Sequence, residues 1–130
     1  MKARRIKIES AADAAMASVV ARQFAQQAGL EPASGAACAT AVSELVTNVV
    51  KYAQSGWVTL RVLDGTPAGV EAIVEDRGPG IANLTQAMRD HVSTGGSLGL
   101  GLPGTKRLVD SFEIRSQEGV GTWVRIVKYR

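Results

Sequence analysis

Seven of the 14 glycines in this 130-residue chain lie between Gly78 and Gly104. Glycine adopts backbone conformations closed to other residues and is costly inside helices and strands. The stretch after Asp76 therefore reads as loop, and the regular framework has to come from either side of it.

Before it, Arg4 to Glu9 alternates weakly and reads as a strand. Ser10 is an N-cap, with Asp13 as its capping-box partner. Ala11 to Ala28 then reads as a helix that buries Met16, Val20 and Phe24 and stops at Gly29. A second helix is expected over Ala33 to Ala53, with Val42, Leu45, Val46, Val49 and Val50 as its broad apolar surface. Trp57 to Leu63 and Val70 to Asp76 alternate as two strands of a hairpin. After the glycine-rich stretch, a short helix starts near Leu102 or Pro103 and runs to Asp110. Phe112 to Gln117 and Thr122 to Tyr129 close as strands around Glu118-Gly119-Val120-Gly121. The order β-α-α-β-β-loop-α-β-β implies an α+β two-layer sandwich. Its helices lie on one face of a mixed, mostly antiparallel sheet.

Residues 1–130 fit one domain. No apolar run approaches the roughly 18 residues of a bilayer span. The basic start, Lys2 to Lys7, has no apolar core behind it and reads against a secretory signal. The single Cys38 fits a reducing, cytoplasmic setting. Formal net charge is +3. If both ends are strands of one sheet, Lys2, Arg4, Arg5 and Lys7 join Arg125, Lys128 and Arg130 in one basic patch suited to an acidic protein. Aromatics are only 5%, and no nucleic-acid recognition motif is present.

Three segments can carry chemistry. Ser43, Glu44, Thr47, Asn48 and Lys51 form one polar stripe on the second helix. Glu44 and Asn48, four apart, point together. A carboxylate beside a carboxamide suits a proton acceptor and a hard cation. Next, a strand ending in Asp76 enters Arg77-Gly78-Pro79-Gly80-Ile81. That sharp turn brings backbone close to a ligand, with Asp76 able to accept from the amino group of a base. Third, Ser93 to Gly104 interleaves glycines with Leu98, Leu100 and Leu102, offering backbone amides to an anion. The phosphate-loop signature and the protein-kinase motifs are absent. Gly99-x-Gly101-x-x-Gly104, with Glu118 further on, matches a dinucleotide fingerprint literally, but Ser93 to Leu98 is a poor strand to precede it.

Taken together, Glu44-x3-Asn48, Asp76-x-Gly78-x-Gly80, Gly99-Leu100-Gly101-Leu102 and Gly121-Thr122 resemble, in order and spacing, the boxes of the gyrase, Hsp90, histidine-kinase and MutL superfamily. That resemblance implies the Bergerat ATP-binding sandwich. The single domain and short lid, about Ala82 to Thr94, resemble the anti-sigma-factor serine/threonine kinases of bacterial partner switching. The Ser93 to Gly104 stretch and Lys106-Arg107-Leu108 look most like the stressosome switch kinases (RsbT-type). Ser97 departs from the usual glycine, and Lys51-Tyr52 is nearer the histidine-kinase pattern.

The resemblance further implies ATP and Mg2+, with Asn48 on the metal and Glu44 as general base. Lys51 and Gly96 would lie near phosphate and Tyr52 near adenine. Asp76 would read the adenine amino group, supported by Thr122. Gly78, Gly80 and Ile81 would shape the base pocket, and Gly99, Leu100, Gly101 and Leu102 the phosphate loop. The implied function is phosphorylation of a small STAS-type antagonist in a cytoplasmic stress response, regulating a sigma factor or a PP2C-type phosphatase. The alternative is a nucleotide-gated binder without significant kinase activity. Neither nucleic acid nor membrane is an expected partner, and monomer and homodimer both stay open.

Overall fold

A computed structural model describes residues 2–89 and 101–130. The elements run β1 (Arg4–Ile8), α1 (Ala11–Gln27), α2 (Pro32–Asn48), a π-turn (Val49–Ala53), β2 (Gly56–Leu63), β3 (Gly69–Asp76), α3 (Leu84–Ala87), α4 (Gly101–Arg107), β4 (Ser111–Gln117) and β5 (Gly121–Tyr129). The strands form one sheet in the order β1-β2-β3-β5-β4. Every pairing is antiparallel, so the expected mixed sheet is corrected. The pairs β2–β3 and β4–β5 are hairpins, β1 joins β2 across the two long helices, and β5 slots between β3 and β4 running against both.

Local chemistry starts and stops the helices. The Ser10 hydroxyl accepts from the Asp13 N–H at 3.2 Å, and Asp13 accepts back from the Glu9 N–H at 2.9 Å. The cap at Ser10 is as expected, while the return bond reaches Glu9, one residue before the position a capping box would use. Gly29, at φ +78°, ends the turn after α1. Pro32 opens α2, where its missing N–H costs nothing.

The core lies between the helices and one face of the sheet. Val20, Ala21 and Phe24 of α1 and Val42, Leu45 and Val46 of α2 pack on Ile8, Val58, Leu60, Val70, Ala72, Val74, Val124 and Ile126. Fully burying each valine, leucine, isoleucine or phenylalanine among them stabilises by about 1.5–3 kcal/mol. Met16, expected in this stripe, is instead 50% exposed. Ala14, Ala17 and Ala21 take the inner positions and bring α1 close. Pro32–Ala53 is long and apolar enough to cross a membrane by length and composition. It packs here as the central core helix, against α1, α4 and the sheet.

Two further expectations change. The second helix does not continue as α to Ala53. After Asn48 it widens into the π-turn, which ends at Gln54 with φ +69°. The terminal cations also do not merge. The strands β1 and β5 share the sheet but are separated by β2 and β3. Arg125 is bound to Glu71 at 2.7 Å and to Glu113 at 3.1 Å, while Lys128 lies 3.9 Å from Asp110.

Candidate nucleotide site

A cavity of about 480 Å³ opens between the end of α2, the ends of β3 and β5, and α3. That size suits a nucleotide-scale ligand. Leu45, Val49, Val74, Ile81, Leu102 and Val124 give it apolar walls, and Asn48, Asp76, Thr122, Asn83 and Gln86 supply polar groups.

Asp76 and Thr122 are sheet partners across the β3–β5 ladder. This register brings residues 46 apart in sequence to one end of the sheet. One oxygen of Asp76, Oδ1, accepts from the Gly78 N–H at 2.8 Å, which fixes the carboxylate. The Thr122 hydroxyl lies 2.9 Å from Ser116 Oγ. Its support of Asp76 is therefore positional, through the ladder.

The turn after Asp76 is held by the β4–β5 hairpin. Ser116 Oγ accepts from the Ile81 N–H at 2.8 Å and donates to the Gly121 carbonyl at 3.2 Å. Gly119 N–H donates to the Pro79 carbonyl at 2.7 Å. The glycines serve this clasp. A Cβ on Gly78 would meet Ala53 Cα at 2.8 Å. Gly80 has φ +72°, and a Cβ there would run into the Gln117 carbonyl. Both therefore let the turn pack tightly on neighbouring chain, and Gly80 also lines the cavity.

The other expected residues divide. Tyr52, Ile81, Gly101 and Leu102 line the cavity with Asn48, Asp76, Gly80 and Thr122. Gly78 stands behind the wall in the turn. Glu44, half-buried, lies one helical turn before Asn48 and outside the cavity lining. Lys51 is exposed and also outside it. The π-turn explains this, because its i→i+5 bonding swings Lys51 off the Glu44–Asn48 face. Gly96, Gly99, Leu100 and His91 lie outside the described residues. Leu102 falls inside α4, which begins one residue earlier than expected, at Gly101, and ends at Arg107 rather than Asp110. The lid segment holds the short helix α3, capped by Asn83 accepting from the Gln86 N–H at 3.0 Å.

Sequence reasoning missed Ser116, Asn83, Gln86 and, in the apolar wall, Leu45, Val49, Val74 and Val124. Val74 and Val124 were legible as inward strand positions. Nothing in the sequence distinguished Ser116 from a solvated strand residue. The dinucleotide reading lacks its fold, because the described strands contain no parallel pair and none precedes Gly101 after β3.

Among the described residues no group of three His, Cys, Asp or Glu side chains gathers as a metal cage. The donor set suits a Mg2+ ion held by one protein oxygen and by phosphates, the usual arrangement for that ion.

Residues 9–128 match the family model for the histidine kinase-like ATPase domain. The chain is 38% identical over 125 residues to the serine/threonine-protein kinase RsbT of Bacillus subtilis, covering 95% of this chain and 94% of that protein. It is 33% identical over 97 residues to the anti-sigma F factor of Thermoanaerobacter pseudethanolicus, covering 69% and 66%. Among solved structures, the RsbU and RsbW domains of Rv1364c from Mycobacterium tuberculosis superpose with a TM-score of 0.69 at 22% identity, over 98% of this chain and 32% of that one. The mycobacterial sensor histidine kinase MprB gives 0.57 at 17% identity, over 98% and 97%. These two likenesses concern the fold.

Proposed function

Since the chain belongs to the histidine kinase-like ATPase domain family, we propose that it transfers the γ-phosphoryl group of ATP to a serine or threonine of a partner protein in bacterial partner switching. The observation that carries this reading is the 38% identity to a serine/threonine kinase across nearly the whole chain, joined to a cavity with Asp76 and Thr122 at one end and Asn48 on its wall.

The assignments follow from the chemistry. The apolar walls take the adenine ring. The Asp76 carboxylate, fixed through one oxygen by Gly78, accepts from the adenine amino group. The Asn48 carboxamide oxygen holds Mg2+, which neutralises phosphate charge when bound. Gly101, at the start of α4, faces the phosphates, and the resemblance adds Gly96, Gly99 and Leu100. Tyr52 packs at the cavity mouth beside the base, and exposed Lys51 reaches the phosphates. Glu44 lies one turn from Asn48, toward the edge where a second protein brings its hydroxyl. It accepts the hydroxyl proton as the oxygen attacks the γ-phosphorus, and ADP leaves. Such transfer is chiefly positioning and charge stabilisation and uses no covalent residue on the enzyme.

By the same reading the phosphoacceptor is a small STAS-type antagonist in the cytoplasm, and the output is control of a sigma factor or a PP2C-type phosphatase. A second reading is a nucleotide-gated binder. Two observations favour it: Glu44 stands outside the cavity lining, and anti-sigma F factors are among the relatives.

One experiment separates them. The chain, Mg-ATP labelled at the γ-position and the candidate antagonist are mixed, and the products are treated with acid. Kinase activity leaves an acid-stable phosphoester on the antagonist and little label on the enzyme. Nucleotide-dependent binding without transfer selects the gated binder. An acid-labile phosphate on His91 overturns both.

A further inference from the structure

The helices cover one face of the sheet, and among the described residues no helix lies on the other. On that other face the registers line up Lys7, Trp57, Glu75, Trp123 and Arg115 in one row across all five strands. Arg5, Thr59, Ile73, Arg125 and Glu113 form the next row. None of these residues enters the core cluster. Both tryptophans of the chain therefore stand outside the core, on a face over which no described helix lies.

The charges on this face are arranged unevenly. Buried Glu71 is held by Arg61 at 2.9 Å and by Arg125 at 2.7 Å, and Arg125 also takes Glu113. Those carboxylates are engaged within the sheet. Glu71 also raises the pKa of Arg125, by hydrogen bond and by charge, which keeps that guanidinium ionised. Around the tryptophans the guanidinium groups lack such partners, and only Lys7 reaches a carboxylate, Glu9 at 3.9 Å. The Arg5 guanidinium lies 5.0 Å from the Trp57 ring centre, Arg77 and Lys7 lie 5.9 Å from it, and Arg115 lies 5.0 Å from Trp123. Among the described residues Arg5, Arg77 and Arg115 make no ion pair. A guanidinium resting on an indole keeps its N–H fork free for a carboxylate and loses little freedom on engaging one.

We propose that this face docks an acidic, partly apolar surface of a second protein, of the kind a glutamate-rich amphipathic helix presents. The inference goes beyond the kinase reading. The cavity residues Val74, Asp76, Thr122 and Val124 alternate with Ile73, Glu75, Trp123 and Arg125 along β3 and β5 and point to the helix side. Docking and nucleotide binding thus use opposite sides of one sheet, and both can be engaged together. Charge decides the occupant. A second copy would set unpaired guanidinium groups against their own kind. Nucleic acid would find the indole faces already covered by cations and closed to base stacking. Tryptophan and arginine are also the residue types that most often dominate binding energy at protein interfaces.

The two tryptophans make the test direct, because all the indole fluorescence of the chain arises on this face. The full chain at physiological salt is titrated with a synthetic amphipathic Glu/Leu helix and with its Gln/Leu counterpart. The expected result is a saturable fluorescence change with the Glu/Leu peptide alone. Its Kd should rise about tenfold or more in the exposed-site variant Arg5→Gln/Arg115→Gln, as for loss of interface hot spots. Mg-ATP affinity, measured by calorimetry, should stay the same in that variant. The proposal is overturned by an equal response to both peptides, by no saturation, or by an unchanged Kd in the variant. Tighter binding of duplex DNA or of phosphatidylserine vesicles overturns it too. So does sedimentation showing that the free chain self-associates through these residues.

Discussion

Replacing Ser116 with alanine tests the clasp that shapes the nucleotide cavity. The Ser116 hydroxyl accepts from the Ile81 N–H, contacts Thr122 Oγ1 and donates to the Gly121 carbonyl. Alanine fills the same space but leaves the Ile81 N–H without its acceptor. An unsatisfied buried donor costs about 1–3 kcal/mol. This site is only part-buried, so about 1–2 kcal/mol is expected after allowance for water. For a chain of this length, roughly 4 °C of Tm follows each kcal/mol, giving a fall of about 4–8 °C in calorimetry. Ile81 lines the cavity, so ATP should also bind about three- to tenfold more weakly, an effect near 1 kcal/mol. A cycle with Thr122→Val adds a sharper criterion. Groups sharing a hydrogen bond couple by about 0.5–3 kcal/mol, so the two effects should not add. Additive effects, or an unchanged Tm with unchanged ATP affinity, would refute the reasoning.

Asp76→Asn should weaken ATP by about ten- to a hundredfold, the range for a lost charge-assisted hydrogen bond, and erase the preference for ATP over GTP in competition binding. Glu44→Gln should bind ATP normally yet transfer phosphate at least about a hundredfold more slowly in single-turnover assays, as for a missing general base. Asn48→Ala should remove the Mg2+ dependence of ATP affinity while near-native circular dichroism is retained. Burial pushes the Cys38 thiol up to about 11. Its contribution to stability is therefore complete below about pH 8.5, the unperturbed thiol pKa, and is lost as pH rises through the folded value. Denaturant midpoints should fall over that interval in wild type and much less in Cys38→Ala, and folded protein at pH 8 should resist thiol reagents.

Much of this molecule was legible from local pattern. The cap at Ser10 and Asp13, the inward valines of β2 and β3, and the stop at Gly29 depend on near neighbours in sequence. Asp76, Asn48 and Thr122 were legible because their residue types stand at ordered spacings. What escaped depends on packing. Three alanines let α1 approach closely and leave Met16 outside. Val49, the first residue of the π-turn, packs against Gly56, where a Cβ would lie 2.9 Å from Val49 Cγ1, and no periodicity encodes that. The role of Gly80 is set by a carbonyl 37 positions away, and Ser116 acts on Ile81 across 35 residues. Such pairings exist only after β4 and β5 have taken their places.

The position of β5 has a consequence for how the molecule comes into being. It is the last strand in chain order, yet it lies inside the sheet. On the ribosome, β1 to β3 and both long helices emerge first. Until β5 follows, β3 presents a raw edge of unpaired backbone, the kind of surface that invites aggregation. During that interval Asp76 has no Thr122 across from it. Nucleotide competence should therefore arrive in one step rather than grow with length. Nascent chains arrested before Gly121 should not retain ATP, while release of Gly121–Tyr129 should confer it; stepwise gain of ATP retention in shorter arrested chains would contradict this.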